Sequence, residues 1–278
     1  MALGGNPVFR GKNFRSAVTA APSAPPSPYA PPMTAEQLDE LYRAPSAGPA
    51  ETGRITYDDV IVKTLVCLGA VVLGAAVTLA VPQPIALGLT LVGALGGFVL
   101  GLVNTFKREP SPALVLAYAA LEGLFLGGLT LLLDRVAPGI GLQAVLGTFA
   151  VAGATLFLYR SGKVRATPGL AKFFLIAVVG YLAFSVVNLF LMLFGVVQNP
   201  WGLRGITVFG IPLGVAIGLL AVVLAAISLI FDFNSIEQAV KAGAPRRVAW
   251  TAAFGLTVTL VWLYTEILRI LAIVNSND

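Results

Sequence analysis

The sequence predicts an all-α integral membrane protein with seven transmembrane helices. Of 278 residues, 57% are hydrophobic and 11% are charged, whereas soluble domains carry about 25% charged residues. The apolar residues are concentrated in seven runs, each close to the 20 or so residues that cross a bilayer as a helix. The formal net charge is +5, but the basic residues cluster in short segments between these runs. This pattern indicates a lipid bilayer as the partner and no nucleic acid.

Proline and glycine residues separate the apolar runs, as expected for loops between helices. Pro82 and Pro84 divide the first two runs, Pro110 and Pro112 precede the third, and Pro138 precedes the fourth. The predicted spans are 60–81, 84–106, 112–133, 140–159, 171–197, 206–232 and 248–274.

The distribution of lysine and arginine predicts the orientation. Cytoplasmic loops carry an excess of these residues, and the excess lies on one side along the whole chain if the N-terminus is cytoplasmic. The segments on the opposite side then hold only Arg135 and Arg204. The predicted orientation is N-in and C-out, with the inside segments holding Arg10, Lys12, Arg15, Arg43, Arg54, Lys107, Arg108, Arg160, Lys163, Arg165, Lys172, Lys241, Arg246 and Arg247.

The chain divides into three regions. Residues 1–56 form a cytoplasmic tail, and its Pro- and Ala-rich composition predicts disorder because it offers little apolar surface to bury. Residues 57–274 form the seven-helix membrane domain, and 275–278 form a short polar tail. The N-terminus lacks the basic-then-apolar order of a cleavable signal, so the first apolar run is expected to be retained as a span.

Three acidic residues lie within or at the edge of the apolar runs: Glu122, Asp232 and Glu266. Ionisable groups in a membrane face the protein interior by default and often mark an ion or proton path. Glu122 lies near the middle of the third span, either on such a path or as a neutral hydrogen-bonding group. Asp232 is either a boundary residue or, if its helix continues to about residue 241, an interior one. Glu266 either pairs with Arg269 three residues later or acts as an outer gate.

Enzyme activity and a resident cofactor are not expected. The chain has no histidine and one cysteine, Cys67, so a zinc or haem site is disfavoured. It also lacks the Gly-x-Ser-x-Gly and His-Glu-x-x-His motifs of hydrolases.

Three motifs together resemble those of the Bax inhibitor-1 family. The segment YAALEGLFLGG (118–128) resembles the family's third-span glutamate–glycine motif, and IFDFNSI (230–236) resembles its sixth-span aspartate motif. The tail LYTEILRIL (263–271) resembles its seventh-span motif. The resemblance covers residues 57–274. It implies six helices around a central seventh, and a pair of aspartates on spans six and seven that share a proton and close an ion path.

Asp232 fills the sixth-span position of that pair, but two alignments compete for the other. The local Leu-Tyr-x-acid pattern selects Glu266, whereas the flanking Arg246–Arg247 pair and the LRI segment at 268–270 select Thr259. In the second alignment Asp232 would meet Thr259, Glu122 or a water molecule. Lys107 and Arg108 fall where family members carry basic residues that can pair with the acids.

The resemblance therefore implies a pH-sensitive leak for calcium, gated by protonation of intramembrane carboxylates. Carboxylate oxygens suit calcium, and Asp232 is the candidate ligand for the permeating calcium or proton. The alternative is a non-transporting regulator of stress or membrane quality control that binds other membrane proteins. The Ala-, Gly- and Val-rich spans favour a bacterial plasma membrane.

Overall fold

Seven long helices make up most of the chain, and each is long and apolar enough to cross a membrane. The computed structural model describes Thr34 and residues 53–107 and 110–276. The predicted disorder of the Pro-rich tail therefore lies almost entirely outside the described residues. The helices are α1 (Tyr57–Ala80), α2 (Gln83–Phe106), α3 (Pro112–Leu133), α4 (Ile140–Arg160), α5 (Pro168–Leu193), α6 (Leu213–Lys241) and α7 (Val248–Asn275).

Hydroxyl side chains cap three of the helices where the sequence places Ser or Thr before the apolar run. Thr56 accepts a hydrogen bond from the backbone N–H of Asp59 at 3.1 Å, at the start of α1. Ser111 and Thr167 cap α3 and α5 in the same way. In α3 and α5 the next residue is proline, whose missing N–H would have had no helical partner there. These signals explain why the helix starts lie close to the predicted ones.

The sixth helix differs most from its predicted span of 206–232. It begins at Leu213 and continues to Lys241. A short 3-10 helix (Gly202–Gly205) and a hairpin of β1 (Thr207–Val208) with β2 (Ile211–Pro212) occupy the residues before it. Gly210, at φ +80°, lies in the hairpin turn. Apolar residues such as Ile206 and Val208 resemble membrane residues in composition, but this turn prevents them from continuing the helix.

Helix α7 is central, as predicted. It packs directly against α1, α3, α4 and α6, and it meets α5 through side chains such as Trp262, whose ring lies 6.0 Å from that of Tyr181. Helix α2 packs mainly on α3. Five helices thus contact α7 directly, which places most of the polar residues of α7 inside the protein.

Glycine allows α1 and α3 to pack at very short range. A Cβ atom on Gly123 would overlap the carbonyl oxygen of Val71, and one on Gly127 would lie 2.6 Å from that of Ala75. The Gly123-x-x-x-Gly127 pair therefore performs the close helix packing that its spacing predicts.

Residues 53–55, immediately before α1, are bound to the loop between α6 and α7. The Ile55 N–H donates to the Ala244 carbonyl at 2.8 Å, and the Arg246 N–H donates to the Gly53 carbonyl at 2.8 Å. The Arg246 side chain adds a 2.7 Å bond to Asp59 of α1. These contacts fix the turn that carries the chain from α6 into α7.

Candidate intramembrane carboxylate site

Asp232 lies inside the bundle and not at a helix boundary. It is nine residues before the end of α6, about 13 Å along the helix axis. None of its surface is exposed (0%). The aromatic rings of Phe231 and Phe174 close the adjacent α5–α6 contact, with centroids 5.6 Å apart. Of the two readings of the sequence, the interior one is therefore the arrangement in this structure.

Thr259 of α7 is the residue that meets Asp232. Its hydroxyl donates to the Asp232 Oδ2 atom at 2.7 Å, and it also lies 3.2 Å from the Gly255 carbonyl. Ser228, one turn before Asp232 on α6, has its hydroxyl oxygen 3.4 Å from that of Thr259. Three oxygen-bearing side chains thus converge where α6 and α7 cross, and only one of them carries a carboxyl group.

A second polar cluster lies at the C-terminal end of α6, between Asp232 and the membrane surface. Glu237 accepts a hydrogen bond from the Tyr159 hydroxyl of α4 and pairs with Lys241 on the next turn. Arg165, in the α4–α5 loop, lies 3.5 Å from the same carboxylate and over the Tyr159 ring, 5.3 Å from its centroid. The Glu237 side chain is 23% exposed, so this charged cluster is partly buried near the end of α6.

Glu266 belongs to a different cluster, on the other side of Asp232. It is seven residues after Thr259 on α7, about 10 Å along the axis. Its Oε1 atom accepts a 2.6 Å bond from Arg269 and a hydrogen bond from the Tyr181 hydroxyl. Its Oε2 atom lies 3.8 Å from Arg204. The expected pairing with Arg269 is present, and the local motif does not bring Glu266 to Asp232.

Arg204 is one of the two basic residues on the side that the positive-inside pattern assigns to the exterior, and its contacts explain its presence there. It lies in the 3-10 helix before α6 and is 5% exposed. Its guanidinium group donates to Ser185 at 2.8 Å and lies over the Tyr181 ring, 5.4 Å from its centroid. It is therefore a buried ion-pair partner and not a residue in contact with lipid headgroups. In the sequence, the indication that Arg204 is buried is its position among apolar loop residues.

Glu122 of α3 faces α2. A Cβ atom added to Gly97 of α2 would lie 3.1 Å from the Glu122 Oε1 atom, so the small residue makes room for the carboxyl group. Tyr118, one turn earlier on α3, interacts with the same carboxyl group and packs edge-on against Phe254 of α7, with centroids 4.9 Å apart. Glu122 is thus placed at the α2–α3 contact.

The predicted basic partners are not part of the described Asp232 site. Lys107 is exposed at the C-terminal end of α2, and Arg108 lies outside the described residues. Within the described ranges, no three acidic or cysteine side chains cluster as metal ligands. The assignment of Asp232 as a ligand for a permeating cation stays a prediction.

A comparison with known protein families agrees with the motifs. A family model described as "Bax inhibitor 1 like" matches residues 6–276. The match begins before the Pro-rich segment, which the three motifs had left outside the resemblance. No curated protein matches the chain.

Proposed function

This chain belongs to the Bax inhibitor-1 family, and on that basis we propose that it is a pH-sensitive calcium leak channel with Asp232 as its titrating gate residue. The observation that carries the proposal is the burial of the Asp232 carboxyl group against Thr259 at the crossing of α6 and α7. A carboxylate inside a membrane bundle is expensive and marks an ion or proton path by default.

The oxygen atoms around Asp232 are ligands of the type that a calcium ion prefers. Calcium is bound by oxygen ligands, including carboxylates, carbonyls and water, and the hydroxyls of Thr259 and Ser228 lie beside the Asp232 carboxyl group. Protonation of Asp232 removes the charge that attracts a cation. Protons and calcium therefore compete for this position, and acidification lowers its affinity for calcium.

The cluster around Glu266 keeps the path closed to cations in this conformation. Two guanidinium groups, Arg204 and Arg269, surround one carboxylate, so the cluster carries an excess of positive charge. Arginine residues in a narrow pore repel cations. Opening would require Arg204 to separate from Glu266, which moves the 3-10 helix away from α7. We place the cytoplasm on the side of the Glu237 cluster, in a bacterial plasma membrane with N-in orientation.

Calcium flux into reconstituted vesicles tests the proposal. The wild-type chain should show a flux that varies with pH, and Asp232→Asn should remove that variation because asparagine does not titrate. Glu237→Gln, in the partly exposed cluster at the end of α6, is the matched control and should keep the pH response. Equal flux at every pH in wild type and Asp232→Asn would overturn the proposal.

A second candidate function follows from the difference at Thr259. The family resemblance implies an acid on span seven, and this chain has a hydroxyl group there, so a proton shared by two acids is absent from this pair. A regulator that binds other membrane proteins would not need such a pair. In their most apolar segments, only 17% of the residues of α2 and 11% of those of α5 are buried. These two helices therefore offer exposed surface to a partner helix. Loss of flux in Asp232→Asn with an unchanged stress phenotype would favour this function.

A further inference from the structure

A cavity of about 500 Å³ lies between the α1–α3 pair and α4 and is separate from the Asp232 site. Helices α1 and α3 pack together on one side, and α4 packs on α6 and α7 on the other. The cavity occupies the gap, with α7 as its floor. Exposed side chains line its edge on α1 and α4, including Val72 at 65% and Leu142 at 67%. The cavity is therefore open toward the bilayer.

The lining is almost entirely apolar, and its polar groups are already bonded within the protein. The Thr130 and Tyr264 hydroxyls lie 2.7 Å apart, and the Thr148 hydroxyl donates to the Ala144 carbonyl at 2.7 Å. Asp134, at one end, accepts from the Gly139 N–H at 2.7 Å. Water enters a cavity stably only where several polar partners remain for it, and an empty space of this size forgoes van der Waals contacts. Hydrocarbon is the occupant that this surface suits.

The depth of the cavity matches one leaflet. Its wall on α1 extends from Leu68 to Leu79, which is about 16 Å along a helix. Half of the hydrocarbon core of a bilayer is about 15 Å. Leu79 is near the end of α1, and Asp134 and Gly139 are in the α3–α4 connection, so the polar end of the cavity lies at one membrane surface and its apolar end near the midplane.

We propose that this cavity binds one acyl chain of a lipid from the leaflet on the side of the α3–α4 loop. The acyl chain enters between α1 and α4, with its headgroup end near Asp134 and its methyl end near Leu68. The bound acyl chain fills the gap between the α1–α3 pair and α4 and contacts Leu260 and Val261 of the central helix. This assignment is independent of the calcium-leak proposal.

Photocrosslinking of the full-length chain in phosphatidylcholine bilayers tests the assignment. The probe is a phosphatidylcholine with a diazirine midway along one acyl chain, and mass spectrometry locates the adducts. Adducts on Val145, which is 38% exposed in the cavity wall, should exceed those on the more exposed Leu95 of α2 and Ile176 of α5, at 69% and 64%. Simple contact with surrounding lipid would give the reverse order and would overturn the proposal.

Variants that fill the cavity provide a second test of the assignment. Ala76→Phe narrows it from α1 and Val145→Phe narrows it from α4; either should lower the adducts on Phe149 several-fold. Ala183→Phe, on the lipid-facing side of α5, is the matched control and should leave them unchanged. Adducts on Phe149 that persist in a folded filling variant would contradict the assignment. A photoreactive amino acid placed at Val145 provides a check for a second copy: crosslinks from that position to another copy of the protein, in place of lipid, would show that a second copy covers the cavity and would also overturn the assignment.

Discussion

The Thr259 hydroxyl group is the residue-level feature that sets this chain apart from the pattern its family resemblance implies. It lies 2.7 Å from the Asp232 carboxyl group, at the position where a second acid is expected. One carboxyl group takes up one proton, whereas two acids in contact titrate as a coupled pair in two steps. The contact between Asp232 and Thr259 therefore supplies one titrating group to the proposed gate, where a pair of acids would supply two.

Introducing the expected acid should change the shape of that response. In Thr259→Asp a second carboxyl group would face Asp232, and the two would titrate as a coupled pair. We expect the pH profile of calcium flux in vesicles to show one more protonation step in the variant than in the wild type. A variant profile that can be superimposed on the wild-type profile would show that position 259 does not take part in gating.

Thr259 should also contribute to stability through its bond to Asp232. Thr259→Val removes the donor and leaves the carboxyl group with one hydrogen bond fewer, at a cost of about 1–3 kcal/mol. Thr155→Val is the control, because the Thr155 residue of α4 is also buried but its hydroxyl donates to the carbonyl one turn earlier in its own helix. Denaturation in detergent should show a clear loss for Thr259→Val and little change for Thr155→Val.

The buried Glu266 cluster should tolerate single substitutions poorly. Glu266→Gln leaves the Arg204 guanidinium group buried without its counter-charge, and breaking a buried ion pair in this way costs about 3–5 kcal/mol. Adding Arg204→Met should recover part of that loss, because only Arg269, whose side chain is 29% exposed, then remains without its counter-charge. Glu237→Gln should cost less, since its partners Arg165 and Lys241 have side chains 54% and 70% exposed and exposed ion pairs contribute about 0–1 kcal/mol. Equal losses in the two single variants would refute this account.

At the level of helices, close packing of α1 on α3 holds half of the bundle together. Gly123 of α3 leaves no room for a side chain, because an added Cβ atom would overlap the Val71 carbonyl. The backbone of α1 cannot move aside as a flexible side chain could. The glycine spacing in the sequence indicated close packing, but it did not identify α1 as the partner of α3.

Gly123→Ala should therefore separate α1 from α3. We expect a loss of about 1–3 kcal/mol, as for overpacked positions in protein cores. Gly69→Ala on α1 is the control, since a Cβ atom there meets no atom within 4 Å. Thermal unfolding in detergent compares the two, and a variant at Gly123 as stable as the one at Gly69 would contradict this packing argument.

For the whole molecule, the seven-helix bundle and the basic residues together specify an orientation that can be measured. Ser161 is in the α4–α5 loop and Val136 in the α3–α4 loop; both are exposed and lie at opposite ends of α4. The native Cys67 is buried in α1 and can be replaced by alanine. With N-in orientation, a membrane-impermeant maleimide should label Val136→Cys in intact cells but label Ser161→Cys only after permeabilisation. The reverse pattern would establish the opposite orientation.

The sequence by itself determined that this protein has seven membrane-spanning helices and a small set of acidic residues within them. The reason is that the length of an apolar run and the positions of prolines are local properties, and they decide whether a segment can cross a bilayer as a helix. It also narrowed the partner of Asp232 to a few residues. Only the tertiary structure decided that Thr259 is a partner of Asp232 and that Glu266 pairs with Arg204 and Arg269. The physical reason is that a one-turn shift between two helices moves a side chain by about 5 Å, which exceeds the reach of a hydrogen bond, and no local pattern in the sequence fixes that shift.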